Sequence, residues 1–206
     1  LKVIITDKLA RQFNQDVFGV VGRQMGDAMA RKKDTDAIAL FPSLNGGTVF
    51  GADNKDLSYA NASAAIAKGK AAKFGGPLFC VHHPNAIYTL TKDAAQLATT
   101  GAQLPDAFKQ SQVQSFYTGV RINNVPFFED GNIESVSGAT NGGYGVLANK
   151  NALGYVTSAA KRTERQRDAS LRAVELVITE DYGMFEVDDS LGAGMYYRIN
   201  DVTTSA

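Results

Sequence analysis

The residues best equipped for chemistry sit in one short stretch, Cys80-Val81-His82-His83. Cys80 and His82 are two positions apart, so on a strand they face the same side, as a thiol nucleophile and its base would need. The run that holds them, Leu78-Phe79-Cys80-Val81, is apolar, and burial disfavours the reactive thiolate. The same alternation sends the adjacent His82 and His83 to opposite faces, so one metal ion cannot bind both. A structural role at the end of a buried strand is the simpler expectation. A small cytosolic cysteine-dependent enzyme using Cys80 and His82 is the catalytic alternative.

Other stretches fail the context that their chemistry requires. Gly138-Ala139-Thr140-Asn141-Gly142-Gly143-Tyr144-Gly145 lacks the Gly-Lys-Ser/Thr ending of a phosphate cradle and reads as loop. No Gly-x-Ser-x-Gly elbow occurs. The acidic pairs Glu129-Asp130, Glu180-Asp181 and Asp188-Asp189 read as turns, with nothing linking them into a metal or glycosidase site. The dense charge run Lys161 to Asp168 reads as a solvated edge or an ion-pair patch between subunits. No catalytic, cofactor-binding or metal-ligating residue is therefore assigned, and no cofactor is expected.

Composition narrows the class further. The 206 residues are 44% hydrophobic, enough to bury a core. Twenty-one Lys and Arg balance 21 Asp and Glu, unlike the basic excess of a dedicated nucleic-acid binder. Apolar runs such as Val3-Ile4-Ile5 are too short to span a bilayer. No charged segment leads into an apolar stretch and cleavage site, and a single cysteine excludes an internal disulfide. The expectation is a soluble protein of a reducing compartment.

The elements that position these residues begin with a long helical pattern. Thr6 or Asp7 can cap it, and Leu9, Phe13, Val17, Val20, Val21, Met25, Ala28 and Met29 recur at steps of three and four. A helix from about residue 7 to about 40 would be roughly 50 Å long, with two helices broken near Lys33-Asp34 as the other reading. Gly19, Gly22 and Gly26 lie inside it, each costing about 1 kcal/mol relative to alanine, and are proposed as flex points. Ser58 is placed to cap a helix over 59–74 that Gly75-Gly76 ends. A strand at Leu78–Val81, a helix from Asn85 toward Leu97 and a hairpin about Asn123-Asn124 follow. Residues 145–153 read as a strand entering a short helix. The last third reads as strands at 169–179, at 184–187 after a break at Gly183, and at 194–199. Helices first and strands last indicate an α+β fold.

Several of these segments together resemble the major capsid proteins of tailed bacteriophages, which have the Hong Kong 97-type fold. The helix from Thr6-Asp7-Lys8-Leu9-Ala10-Arg11 through Asp34-Thr35-Asp36 is similar to that family's spine helix. The helix Tyr59–Phe74 followed by Pro77-Leu78-Phe79-Cys80-Val81-His82-His83-Pro84 resembles its helix, buried strand and His-Pro corner. Gly119-Val120-Arg121-Ile122-Asn123-Asn124-Val125-Pro126-Phe127-Phe128-Glu129 resembles its axial-domain hairpin, with Asn124 where the family pattern tends to have glycine. Ala152-Leu153, Glu164, Arg167-Asp168 and Asp181-Tyr182-Gly183 are similar to its return strands.

The resemblance implies a peripheral domain over 1–76 with the spine helix, an axial domain over 77–158, and return strands with a C-terminal strand over 159–206. The family's N-terminal arm and extended loop are expected to be largely absent from this sequence. The implied function is an icosahedral shell, built of hexamers and pentamers, around a double-stranded DNA phage genome. A nanocompartment (encapsulin-like) shell is the alternative. Scaffolding, portal and decoration proteins and non-specific contact with packaged DNA are the implied partners, with no membrane. The implied location is the virion capsid, assembled in the bacterial host cytoplasm. The family's crosslinking lysine, asparagine and glutamate find no matching positions, so no enzyme activity is expected.

Overall fold

A computed structural model describes residues 1–12, 16–99, 120–136, 141–200 and 202. Its helices and strands fall into two units, Leu1–Asp36 with Tyr155–Phe185, and Ala37–Gly154 with Glu186–Ala206.

In the first unit, strands β1 (Lys2–Thr6), β7 (Leu153–Asp168) and β8 (Ala173–Glu186) form a sheet in the order β1-β8-β7. β1 and β8 pair antiparallel, Val3 opposite Leu176 and Ile5 opposite Val174. Alternation sends Val174, Leu176 and Ile178 inward. There Leu176 and Ile178 meet Met25, with Phe18, Val21 and Met29 packed around them. These four come from α2 (Val17–Ile38) at steps of three and four, so one helical stripe lies on one sheet face.

The expected rod over 7–40 is thus divided. Helix α1 covers Asp7–Gln12 and α2 covers Val17–Ile38, the latter about 33 Å long at 1.5 Å per residue. Residues 13–15, with the expected Phe13, lie outside the described residues. No break falls at Lys33-Asp34. Leu9 and Ala28, expected on the buried stripe, are exposed.

The second unit is built on a mixed six-stranded sheet in the order β2-β9-β6-β3-β5-β4. Its strands are β2 (Phe50–Gly51), β3 (Leu78–His82), β4 (Arg121–Ile122), β5 (Val125–Glu129), β6 (Gly142–Asn149) and β9 (Gly192–Arg198). Helices α3 (Tyr59–Ala71) and α4 (Pro84–Thr99) contribute Ala62, Ile66, Ile87 and Leu90 to the core that also holds Leu78, Cys80, Phe127 and Leu147. A smaller cluster joins Phe41 and Leu44 to Val146 and Ala148. Strand β6 therefore sends alternate residues into two cores, so an uninterrupted run of its residues is buried.

Ser58 caps α3 as expected, its Oγ accepting from Asn61 N at 3.1 Å. Gly75 and Gly76, at φ +68° and +46°, turn the chain into β3 where other residues resist the left-handed region. Asn123 and Asn124 both take positive φ, the pattern of a tight hairpin turn. Residues 37–76, expected with the first domain, belong to the second unit because α3 packs into this core.

Three local expectations are corrected. The glycine-rich segment is not loop throughout: residues 137–140 lie outside the described residues, but Gly142 already starts β6, paired antiparallel with β9 and, through Leu147 and Val146, with β3. Residues 150–152 make a turn and not the start of a helix, Asn149 Oδ1 accepting from Asn151 N at 3.3 Å. Strand β8 runs through Gly183 to Glu186 without a break. The glycines of β6 answer to space rather than flexibility. A Cβ at Gly145 would lie 2.4 Å from His82 Cδ2 and 2.5 Å from the Val81 carbonyl oxygen.

Gly145→Ala is therefore expected to destabilise the fold by about 3 kcal/mol through overpacking, measured by denaturant unfolding. Gly22→Ala, whose added Cβ meets nothing within 4 Å, is expected to stabilise α2 by about 0.5–1 kcal/mol.

Candidate functional site

The structure brings Cys80 and His82 to one face of β3, both fully enclosed. Burial pushes the Cys80 thiol far above its ordinary range, and its Sγ lies 3.4 Å from Met195 Sδ. His82 Nδ1 accepts from the His83 backbone N at 2.9 Å, which leaves the ring proton on Nε2. Burial pulls the His82 pKa down to about 4, against a smaller opposing pull from the Met195 backbone. A neutral thiol beside a neutral imidazole, both sealed in the core, is packing and not a nucleophile with its base. His83 instead serves α4, its Nδ1 accepting from Asn85 N at 3.1 Å ahead of the first turn that Pro84 opens. Among the described residues no cluster of His, Cys, Asp and Glu is arranged to hold a metal, and no helix is long and apolar enough to cross a membrane.

The most elaborate polar arrangement is one that the sequence reading missed. On α2, Lys33 and Asp36 continue the stripe of Met25 and Met29. On β8, Glu180 and Tyr182 continue the alternation of Leu176 and Ile178. The two polar extensions meet. The Lys33 ammonium pairs with Glu180 Oε1, and lies 5.6 Å from the Tyr155 ring centroid and 5.5 Å from that of Tyr182. Tyr155 Oη donates to Glu180 Oε1 at 3.3 Å. Tyr182 Oη donates to Asp36 Oδ2 at 2.6 Å, and Lys32 reaches Asp36 Oδ1 at 2.5 Å.

Each group is tuned by its neighbour. The Lys33 hydrogen bond lowers the Glu180 carboxyl, and Glu180 in turn raises Lys33. Lys32, then Tyr182, lowers Asp36. Asp36 holds the Tyr182 hydroxyl protonated up to about 12. The Glu180 side chain is only 5% exposed, and its Oε2 is enclosed without a hydrogen-bond partner. The cluster fixes the far half of α2 on the sheet by directional contacts where the near half uses apolar ones. The signal that would have found it is the unbroken spacing 25, 29, 33, 36 set against the alternation 176, 178, 180, 182.

The charge run Lys161–Asp168 lies on β7, exposed along Tyr155 to Arg167. Its odd-numbered residues turn toward the helices. Arg165 stacks 4.2 Å from the Phe18 ring centroid, and Arg167 reaches Asp7 Oδ2 at 2.9 Å. Lys161 Nζ lies 3.1 Å from where a Cβ of Gly26 would be. Of the three helix glycines, Gly22 is open, Gly26 receives Lys161, and Gly19 is overlain by the Asp16 carboxylate.

The first unit lays helix α2 on a three-stranded sheet, and the second packs α3 and α4 against a mixed six-stranded sheet. The family model described as phage capsid protein matches residues 1–197, and the chain belongs to that family. No curated protein matches the sequence. Among solved structures it is similar to a chain of Mycobacterium phage Che8, with a TM-score of 0.71 at 14% identity over 95% of this chain and 68% of that one. The holo-SrpI encapsulin complex from Synechococcus elongatus gives 0.70 at 10% identity, over 100% and 76%. The capsid of cyanophage P-SCSP1u gives 0.63 at 16% identity, over 97% and 72%. The architecture is accordingly an α+β, Hong Kong 97-type capsid fold.

Two predictions follow from the groups described. His82 is neutral when folded and titrates near 6.5 when unfolded, so the unfolded state binds more protons between about pH 6.5 and 4. Stability should fall on acidification through that window by up to about 3 kcal/mol. Denaturant titrations at about pH 7 and pH 5 measure the slope, which His82→Leu should flatten. Glu180→Gln, which strands Lys33 between two rings, should lower the melting temperature clearly, whereas Lys32→Ala on the exposed side should leave it nearly unchanged. Calorimetry of the two variants decides the order.

Proposed function

We propose that the chain is the major capsid subunit of a tailed phage. It self-associates through hexamers and pentamers into an icosahedral shell around double-stranded DNA, assembled in the bacterial host cytoplasm and retained in the virion. The observation that carries this reading is the family match over residues 1–197. In that reading the first unit, with α2 as spine helix, corresponds to the peripheral domain, and the sheet of the second unit to the axial domain. Scaffolding, portal and decoration proteins are the expected partners. The chain acts by association and not by catalysis, which agrees with the sealing of Cys80 and His82 in the core.

The encapsulin neighbour favours a second reading, a nanocompartment shell. The enclosed content separates the two. Particles purified from the native host should carry double-stranded DNA in the first case and a cargo protein in the second. For the shell reading itself, the purified full chain is expected to form closed particles in negative-stain micrographs, and a chain that stays monomeric under all assembly conditions contradicts it.

Gly19, Gly22 and Gly26 are retained as proposed flex points of α2 between precursor and mature shells, on the observation that each carries a helix cost, with the space open at Gly22 and taken by Asp16 and Lys161 at Gly19 and Gly26. Replacing all three with alanine should leave precursor assembly intact and impede expansion. Expansion at the unaltered rate and extent would falsify the role.

A further inference from the structure

In the second unit the end of α3 and the β4–β5 hairpin enclose a basic hollow. From Leu57 to Lys92 the chain carries four lysines, Lys68, Lys70, Lys73 and Lys92, and no acidic residue. Lys70 and Lys73 line a hollow of about 350 Å³ whose walls include Gly75, Gly76, Asn123 and Asn124 and no carboxylate. Among the described residues, neither lysine belongs to an ion pair. The Lys70 ammonium donates to the Asn123 carbonyl at 3.3 Å, which steadies it there and leaves two of its three donors unused.

The backbone adds further donors. Gly75 and Gly76 turn at φ +68° and +46°, and Asn123 and Asn124 at +49° and +69°. Among the described residues, no hydrogen bond uses the backbone N–H of Gly75 or Gly76, and successive N–H groups in such turns make anion-binding concavities. Two features oppose an anion here, and both are already occupied. The α3 C-terminus carries partial negative charge, but the carbonyls of Lys68, Gly69 and Lys70 accept from Ala72, Phe74 and Lys73 N–H. Asp188 and Asp189 stand at the same end of the sheet, just before β9, which lies two strands from β3, or about 10 Å at 4.8 Å per strand. Asp188 Oδ1 accepts from Ser190 N and Oγ at 3.0 and 2.6 Å, and Asp189 Oδ2 from Gly46 N at 2.7 Å.

We propose that the Lys70–Lys73 hollow binds a phosphate group, held by the two ammonium groups and the backbone N–H groups of Gly75 and Gly76. A phosphate offers several acceptor oxygens pointing apart and up to two negative charges, which matches two point cations and two amides. One group is the right scale, because affinity for a nucleic-acid backbone grows with the number of cations that meet it, and two stand here. The group is either free phosphate or a phosphodiester of nucleic acid, and the contacts are the same for both. Binding goes beyond the shell reading and does not depend on it.

Calorimetric titration of the full chain at about 0.02 M salt, with inorganic phosphate and a short DNA duplex as the two probes, tests the site. Lys70 and Lys73 are exposed, so Lys70→Gln/Lys73→Gln should fold normally, checked by its unfolding curve, and bind at least about tenfold more weakly. Lys55→Gln/Lys92→Gln removes the same charge beside Arg198, at the other end of the sheet, and should bind within about twofold of wild type. A readout that needs no substitution is the amide spectrum of the unassembled chain. Phosphate should shift the resonances of Gly75 and Gly76 and leave that of the enclosed Gly145 in place. Response to both probes or to phosphate alone supports a site for the free group, and response to the duplex alone makes nucleic acid the source. Binding of neither probe, binding unchanged in Lys70→Gln/Lys73→Gln, equal loss in the two double variants, or an equal shift of Gly75 and Gly76 by chloride at the same ionic strength overturns the site. None of these outcomes bears on whether the chain forms a shell.

Discussion

The structure of the first unit depends on one contact, the stripe of α2 against one face of a three-stranded sheet. Two layers with a single interface bury little. Met25, Leu176 and Ile178 are the fully buried members of that cluster, with Val3, Phe18, Val21 and Met29 only partly covered. The opposite face of the same sheet presents Ile4, Val156 and Phe185, each about half exposed, and β7 leaves a long edge in the open. A lone soluble domain rarely tolerates such an edge. A subunit whose neighbours cover it can, and under the shell reading the thinness of this unit is a consequence of where its remaining burial comes from.

The polar extension of the α2 contact has the same logic. Where the apolar stripe ends, Lys33, Asp36, Glu180 and the two tyrosines take over on the same faces. Ion pairs and hydrogen bonds fix direction and register more strictly than methyl groups do, at a cost in desolvation that the tyrosine faces partly offset. The second unit solves a different problem. Its sheet is covered on both faces, and its central strand β6 must pass between two cores. Gly145 leaves the space that His82 fills, so the imidazole is held neutral by packing and the strand is held in place by the imidazole.

Much of this was legible in the residues themselves. Period-3.6 patterning located the helices, Ser58 and Gly75-Gly76 marked the ends of α3, and Asn123-Asn124 marked a hairpin, because each of these signals is local. Spacing also placed Cys80 and His82 on one face, though only the fold reveals that the face is sealed. What stayed hidden was non-local. Gly142, Gly143 and Gly145 have little strand propensity, and their placement in β6 comes from the pairing with β9 and from the close approach of Tyr196 and His82 on other strands. Lys33 and Glu180 are polar by composition and inward-facing only because their neighbours set the register.

The central claim is that association supplies the burial the first unit lacks, and hydrogen exchange tests it most directly. Backbone amides of β1, β7 and β8 should exchange quickly in the free subunit and become strongly protected in the assembled particle, while those of β3 and β6 change little. Equal protection of β1, β7 and β8 in both states would show that this unit is already complete alone, and would contradict the account.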